Sequence, residues 1–327
     1  MPDDYLGVSR YFCAKHLAME AEFHRWLKET LPGHPRLPVP VGDDAALLQL
    51  DTTGCVVAVD TISDEVDFEL RATDPRRIGH KALGVNLSDL AAMAAEPVAC
   101  VVALMLPEPN AAELAREVIL GMLPLAEEFD CPIAGGDVHV WTHPLALTVT
   151  VVGQQQQPVQ RTGARVGNKI AVTGAFGGSI LGRHLDVRPR IREMHTLRSR
   201  CEVLAAIDCS DGLSLDLDRL ALASGVGAEI EAEQIPIHPD AQRLSEKTGR
   251  TPLQHALTDG EDFELILAIG ADDAEELSRR TSSQATQEPV AAPLSIIGQF
   301  VEPPGLWIRQ PDGSRQPLIA KGYQHGS

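Results

Sequence analysis

Stretches with apolar residues every three or four positions alternate along the chain with short, nearly continuous apolar runs, the pattern of a mixed α/β protein. The best-bounded stretch is DPRRIGHKALGVNLSDLAAMAAEP, residues 74–97. Asp74 suits an N-cap, Pro75 the first helical position and Pro97 a stop, so a helix is predicted between them. At roughly 100° per residue, Ile78, Ala82, Val85, Asp89 and Met93 share one face, with Asn86 at its edge. The expected buried face thus carries a carboxylate and an amide. A buried carboxylate without partners costs on the order of several kcal/mol. Backbone amides, Lys81 or a bound cation are the candidates to hold Asp89.

The remaining elements follow by the same reading. Residues 1–20 read as an N-terminal arm, and Ala21 to Leu31 as a short amphipathic helix ended by Pro32-Gly33. VGDDAALLQL (41–50) is an acidic turn entering an apolar run, and the strand Cys55–Val59 delivers Asp60 at its end. Val98–Leu106 is a predicted buried strand, Asn110–Phe129 an amphipathic helix, Ala134-Gly135-Gly136-Asp137 a loop, and Leu145–Val152 a strand. The polar stretch Gln154–Gln160 divides the chain into expected domains at 1–153 and 154–327. Beyond it, the strand Lys169–Thr173 runs through a Gly-rich turn into a predicted helix. AIDCSDG (206–212) closes a strand and opens a helix at 213–223; Glu229–Ile235 and Phe263–Ile269 read as strands. Pro311-Asp312-Gly313 marks a hairpin, and Ser282–Pro293 a mobile loop without pattern.

Composition narrows the function classes. The 327 residues carry a net charge of −18, which removes any general attraction for nucleic acid or anionic membranes. No apolar run reaches membrane-spanning length, and the N-terminus lacks a signal-peptide layout, so a cytoplasmic protein is expected. The six cysteines (Cys13, Cys55, Cys100, Cys131, Cys201, Cys209) form no CxxC and read as reduced, buried thiols.

The chemistry-bearing residues are carboxylates at element ends: Asp43 and Asp44 in a turn, Asp60 at a strand end, Asp137 after a Gly-Gly pair, and Asp208 and Asp211 around a strand-to-helix junction. Small residues beside such acids permit close approach of a ligand. All-oxygen, acid-rich sites suit Mg²⁺, which uses one or two carboxylates per ion together with substrate phosphates. Each Asp alone is also a common cap or turn residue; Asp211 could simply cap the helix after it. In the Gly-rich turn, Gly177 and Gly182 have Walker A spacing, but Arg183 and His184 stand where Lys and Ser/Thr belong. That turn is either a backbone nest for an anion or an ordinary connection. The histidines show no paired zinc spacing, and Ser88 and Ser210 lack a nucleophile-elbow context.

In order along the chain, VGDDAALL, the strand ending in Asp60, KALGVNLSDLAAMAAEP, AGGDV, RTGARVGNKIAVTGAFGGS, AIDCSDGLSLDL, DGEDFEL and KGYQH resemble the motifs of thiamine-monophosphate kinases, within the aminoimidazole ribonucleotide synthetase superfamily. The resemblance implies two α/β domains, an N-terminal mixed sheet forming a barrel shared across a homodimer, and ATP as co-substrate with several Mg²⁺ ions. By matched position it implies Asp44, Asp60, Asp89, Asp137, Asp208 and Asp211 as metal carboxylates, with Asp89, Asp208 and Asp211 catalytic. Gly136, Asp137, Arg161 and Ser210 would contact ATP, and Asp67, Glu261 and Tyr323 the acceptor. The implied reaction is transfer of the ATP γ-phosphoryl group to thiamine monophosphate.

The chain departs from the family pattern at several positions. Asp67 replaces the usual His before Phe68, Ala58 and Val59 replace a hydroxyl pair, Val138-His139 a Thr pair, and Phe263 a Tyr; the Gly182–Arg190 connection is short. These departures keep two other readings open, an ATP-dependent enzyme with a different acceptor and a catalytically silent ATP-binding protein.

Overall fold

The computed structural model describes residues 23, 25–37, 48–51, 54–283 and 294–323. The 1–20 arm, Asp43, Asp44 and residues 284–293 of the patternless loop lie outside them. The chain forms two compact units, Met1–Asn86 with Pro97–Gln156, and Leu87–Glu96 with Gln157–Ser327. Among the described residues no helix is long and apolar enough to cross a membrane.

The first unit is built on a four-stranded sheet of order β1-β4-β2-β3, where β1 is Cys55–Ser63, β2 Glu96–Pro107, β3 Ile133–Trp141 and β4 Ala146–Gln154. β1 runs antiparallel to β4, and β2 parallel to β3. Ile62, Leu147, Val149, Val151, Val102 and Leu104 form the buried face. Against it lies α2 (Ala111–Glu128), whose Ile119 lines one small cavity with Val102 and Leu104. The opposite face exposes Val57, Val59 and Val101. The expected loop at 134–137 is instead the middle of β3, because β2 supplies a parallel ladder and Gly136 lets the strands meet. A Cβ at Gly136 would lie 1.9 Å from the Val102 carbonyl oxygen.

The helix α1, Pro75–Ala92, starts where its proline predicts. It is not amphipathic as expected: residues 81–88 are all buried. Its small residues permit this. Gly79 sits against the Val118 carbonyl and Gly121 against that of Arg76, so α1 and α2 cross with backbones in contact. Two polar groups inside α1 serve the first unit. Lys81, fully buried, donates from Nζ to the Asp67 carbonyl at 2.8 Å. Asn86 accepts the Asp60 N–H at 3.0 Å and donates to the Ala82 carbonyl.

The second unit has a seven-stranded sheet of order β11-β10-β7-β9-β5-β8-β6. Its strands are β5 (Lys169–Thr173), β6 (Val203–Asp208), β7 (Gly227–Glu231), β8 (Leu265–Ile269), β9 (Leu294–Val301), β10 (Gly305–Arg309) and β11 (Arg315–Pro317). Helices α3 (Ile191–Arg198), α4 (Leu213–Ser224), α5 (Pro239–Thr248), α6 (Pro252–Thr258) and α7 (Ala271–Ser283) complete it. Val172, Phe176, Ile207, Leu217, Ile266 and Phe300 belong to one apolar core. The β10–β11 turn is the predicted hairpin, with Gly313 at φ 82°.

Three expectations are corrected here. The Gly-rich turn leads into two 3-10 turns, Ser179–Leu181 and Arg183–Leu185, rather than a helix, since Gly177, Gly178 and Gly182 all adopt positive φ. β7 stops at Glu231 and gives way to the 3-10 turn Ala232–Gln234. β8 begins at Leu265, not Phe263, because Glu261 (φ 54°) and Phe263 (φ 51°) are left-handed. Of the described cysteines, Cys100, Cys131 and Cys209 are buried as expected; Cys55 is exposed, and all are free thiols.

Candidate functional site

The junction after β6 gathers most of the expected site in the second unit. Asp208 ends β6, is 4% exposed, and accepts a hydrogen bond from Ser88 Oγ at 2.9 Å. Ser88 precedes Asp89 on the part of α1 that belongs to this unit, so Asp89, half-buried, stands beside the same junction. Downstream, the Cys209 and Ser210 carbonyls accept N–H bonds from Phe263 (2.9 Å) and Glu261 (2.6 Å). This pairing brings DGEDFEL alongside CSDG. Gly260 is required at the contact: its φ is +76°, and a Cβ would come within 2.8 Å of the Ser210 carbonyl oxygen. From the other side the Tyr323 N–H donates to the Asp211 carbonyl at 2.9 Å. Asp208, Ser210, Asp211, Glu261 and Tyr323 thus form one neighbourhood.

Asp211 does not cap the helix that follows it. Gly212 occupies the N-cap position without a side-chain bond. The capping is done from inside α4 by Asp216, whose Oδ2 accepts the N–H groups of Asp211 (2.9 Å) and Gly212 (3.1 Å). Arg219 then bridges Asp216 Oδ1 (2.7 Å) and Asp211 Oδ2 (2.5 Å). Burial pushes the Asp216 carboxyl up to about 6, against the opposing pull of the Asp211 N–H and of Arg219. Sequence reading passed over both residues, although an Asp and an Arg three apart on a helix were a visible signal.

Three acids of DGEDFEL are held by the Gly-rich turn and its surroundings. Asp262 accepts the Gly177 N–H on both oxygens (3.0 and 3.1 Å) and Arg183 Nη2 at 2.7 Å. Burial raises its carboxyl to about 7 even so. Asp259 accepts the Gly178 N–H at 3.0 Å, and Glu264 is held by Arg190 and Thr173. The nest of the Gly-rich turn therefore holds the chain's own carboxylates at Gly177 and Gly178. Glu261, between these anchors, is the acid whose backbone is turned toward Ser210.

The other expected residues that are described belong to the first unit, apart from Arg161 in the second. Asp60 and Asp137 sit on β1 and β3, the two edges of the first sheet, with β4 and β2 between them. At about 4.8 Å per strand that sheet alone does not bring them together. Gly136 adjoins Asp137 on β3 and is exposed. Arg161 is exposed, and its carbonyl accepts Ser224 Oγ at the far end of α4 from Asp211, roughly 16 Å along the axis at 1.5 Å per residue. Asp67 Oδ2 accepts the Ser63 N–H at 2.7 Å and so closes the turn after β1. Asp44 is outside the described residues.

Among the described residues no group of three or more His, Cys, Asp or Glu side chains forms a ready metal cage. Carboxylates that offer one or two oxygens each, such as Asp208 and Asp211, fit an ion that completes its shell with water and phosphate oxygens.

Residues 42–155 match the profile of the AIR synthase related protein N-terminal domain, and residues 136–305 that of the C-terminal domain. A thiamine-monophosphate kinase of Rhodopirellula baltica is 41% identical over 319 residues, covering 94% of this chain and 98% of that relative. The chain belongs to the thiamine-monophosphate kinase family. The thiamine-monophosphate kinase of Stenotrophomonas maltophilia has a similar structure, with TM-score 0.73 at 31% identity over 90% of this chain and 96% of that one. AaThiL complexed with AMPPCP and TMP superposes with TM-score 0.72 at 27% identity, over 88% and 92% of the two chains. The family's two-domain α/β architecture is thus the fold of this chain.

Proposed function

We propose that this chain transfers the γ-phosphoryl group of ATP to the phosphate of thiamine monophosphate, giving thiamine diphosphate and ADP. The observation that carries the reading is the convergence of Asp208, Ser210, Asp211, Glu261 and Tyr323 at the β6–α4 junction, in a chain of this family. The reaction brings two anionic phosphates together, and like charges about 4 Å apart repel by roughly 1 to 4 kcal/mol, depending on solvent access. Mg²⁺, when bound, neutralises that charge and orients the phosphates. Asp44, Asp60, Asp89, Asp137, Asp208 and Asp211 would hold the ions, with Asp89, Asp208 and Asp211 nearest the reacting groups. Gly136, Ser210 and Arg161 would bind ATP beside Asp137, Arg161 adding positive charge to an otherwise acidic protein. Glu261 and Tyr323 would take the acceptor, whose thiazolium cation suits a carboxylate and an aromatic ring.

Asp67 belongs to the acceptor side of the same proposal, although its bond to the Ser63 N–H makes it first of all the residue that shapes the loop after β1. That bond weakens the motive for a different acceptor. The homodimer is also proposed, on the apolar face that leaves Val57 and Val59 60% and 58% exposed. The deciding experiment incubates purified protein with ATP, MgCl₂ and thiamine monophosphate. Thiamine diphosphate should appear one-for-one with ADP; ADP formed without thiamine diphosphate would sink the reading.

A further inference from the structure

We propose that Asp216 and Arg219 are positioning residues that present Asp211 to its ligand. The inference rests on the reading above, in which Asp211 holds a metal ion. Asp216 Oδ2 accepts the N–H groups of Gly212, the N-cap residue of α4, and of Asp211 just before it. The bond fixes the backbone on both sides of the Asp211–Gly212 peptide, including Gly212 at φ 125°. Asp216 Oδ1 holds Arg219, and the same Arg219 nitrogen reaches Asp211 Oδ2. Asp211 is therefore tied by one oxygen, which leaves Oδ1 as the atom turned to a ligand. Tyr323 N–H fixes the Asp211 carbonyl from the opposite side.

A merely structural account fits poorly. The Asp216 side chain is 1% exposed, whereas Arg219 and Asp211 are 38% and 26% exposed. Burying a carboxylate is a costly way to start a helix. What the buried carboxylate adds is a fixed orientation for its neighbour. With the clamp intact, Asp211 would meet its ligand through the oxygen that Arg219 does not hold.

The test titrates Mg²⁺ into full-length protein holding a fixed concentration of AMPPCP, followed by calorimetry. In Asp216→Ala both N–H groups lose their acceptor, and the Mg²⁺ midpoint should rise at least tenfold. Asp216→Asn restores an acceptor but not the Arg219 pairing, and should recover to within about threefold of wild type. The Mg²⁺ midpoint of the folded protein is the readout that a purely structural role would not move. A folded Asp216→Ala protein with a midpoint within twofold of wild type would overturn the clamp. Should Asp216→Ala fail to fold, Arg219→Met decides. A midpoint raised about threefold or more supports the clamp, and one that is unchanged or lower, as expected if Arg219 competed with the metal, overturns it. Wild-type protein that binds AMPPCP identically with and without Mg²⁺ would instead remove the functional reading, and the clamp with it.

Discussion

Single side chains at the β6–α4 junction carry both stability and chemistry. Ser88, fully buried, donates to a nearly buried Asp208. Hydrogen bonds to a charged group contribute about 1.5–3 kcal/mol. Ser88→Ala should therefore lower stability by about 2 kcal/mol in urea denaturation, with the loss shrinking when Asp208→Asn is also present. A loss unchanged in the double variant would mean that Ser88 acts through packing alone. At this scale Asp208 and Asp211 were legible as acids at a strand-to-helix junction, because Gly and Ser neighbours mark it, whereas Asp60 and Asp137 lie inside β1 and β3 rather than at a strand end and in a loop. The partners of the acids were not legible. Nothing in a linear pattern says that Asp67 bonds back to Ser63, or that Asp262 turns to Gly177, since both depend on how loops fold back.

Among elements, α1 is the instructive case. Its start was readable from Asp74 and Pro75, but it ends at Ala92, before the left-handed Ala94, and Pro97 lies inside β2; its environment was not readable either. A helix with small residues on several faces can be enclosed on all of them, and a stripe drawn at one face then understates its burial. The contact with α2 depends on Gly79, where an added Cβ would stand 1.9 Å from the Val118 carbonyl oxygen. Gly79→Ala should force the helices apart and cost about 1–3 kcal/mol, as overpacked cores do. The urea midpoint measures this; an unchanged midpoint would show that the crossing relaxes freely. β3 and the Gly-rich turn escaped a sequence reading for a related reason. Glycines that read as loop punctuation serve close strand pairing at Gly136 and a self-filled nest at Gly177 and Gly178.

For the molecule as a whole, the first sheet poses a question of cover. One face is filled by the core, and on the other Val57 and Val59 project from an edge strand, with Val101 41% exposed nearby in the sheet order. Exposed apolar rows on an edge strand are an association hazard unless a partner covers them. The net charge of −18 opposes indiscriminate aggregation, so any partner must fit this face closely enough to outweigh charge repulsion. A second copy meets that demand by symmetry, since the same patch serves both sides. A carboxylate placed on this face would be buried opposite its own symmetry mate. If the proposed dimer forms through this face, Val57→Glu should yield a monomer in sedimentation equilibrium at micromolar concentration, and higher salt should partly restore association by screening the pair. Because Val57 is exposed and outside the core, the variant should keep its circular dichroism spectrum. Wild-type protein that sediments as a monomer, or a Val57→Glu protein that remains dimeric, would place the dimer contact on another surface or abolish it.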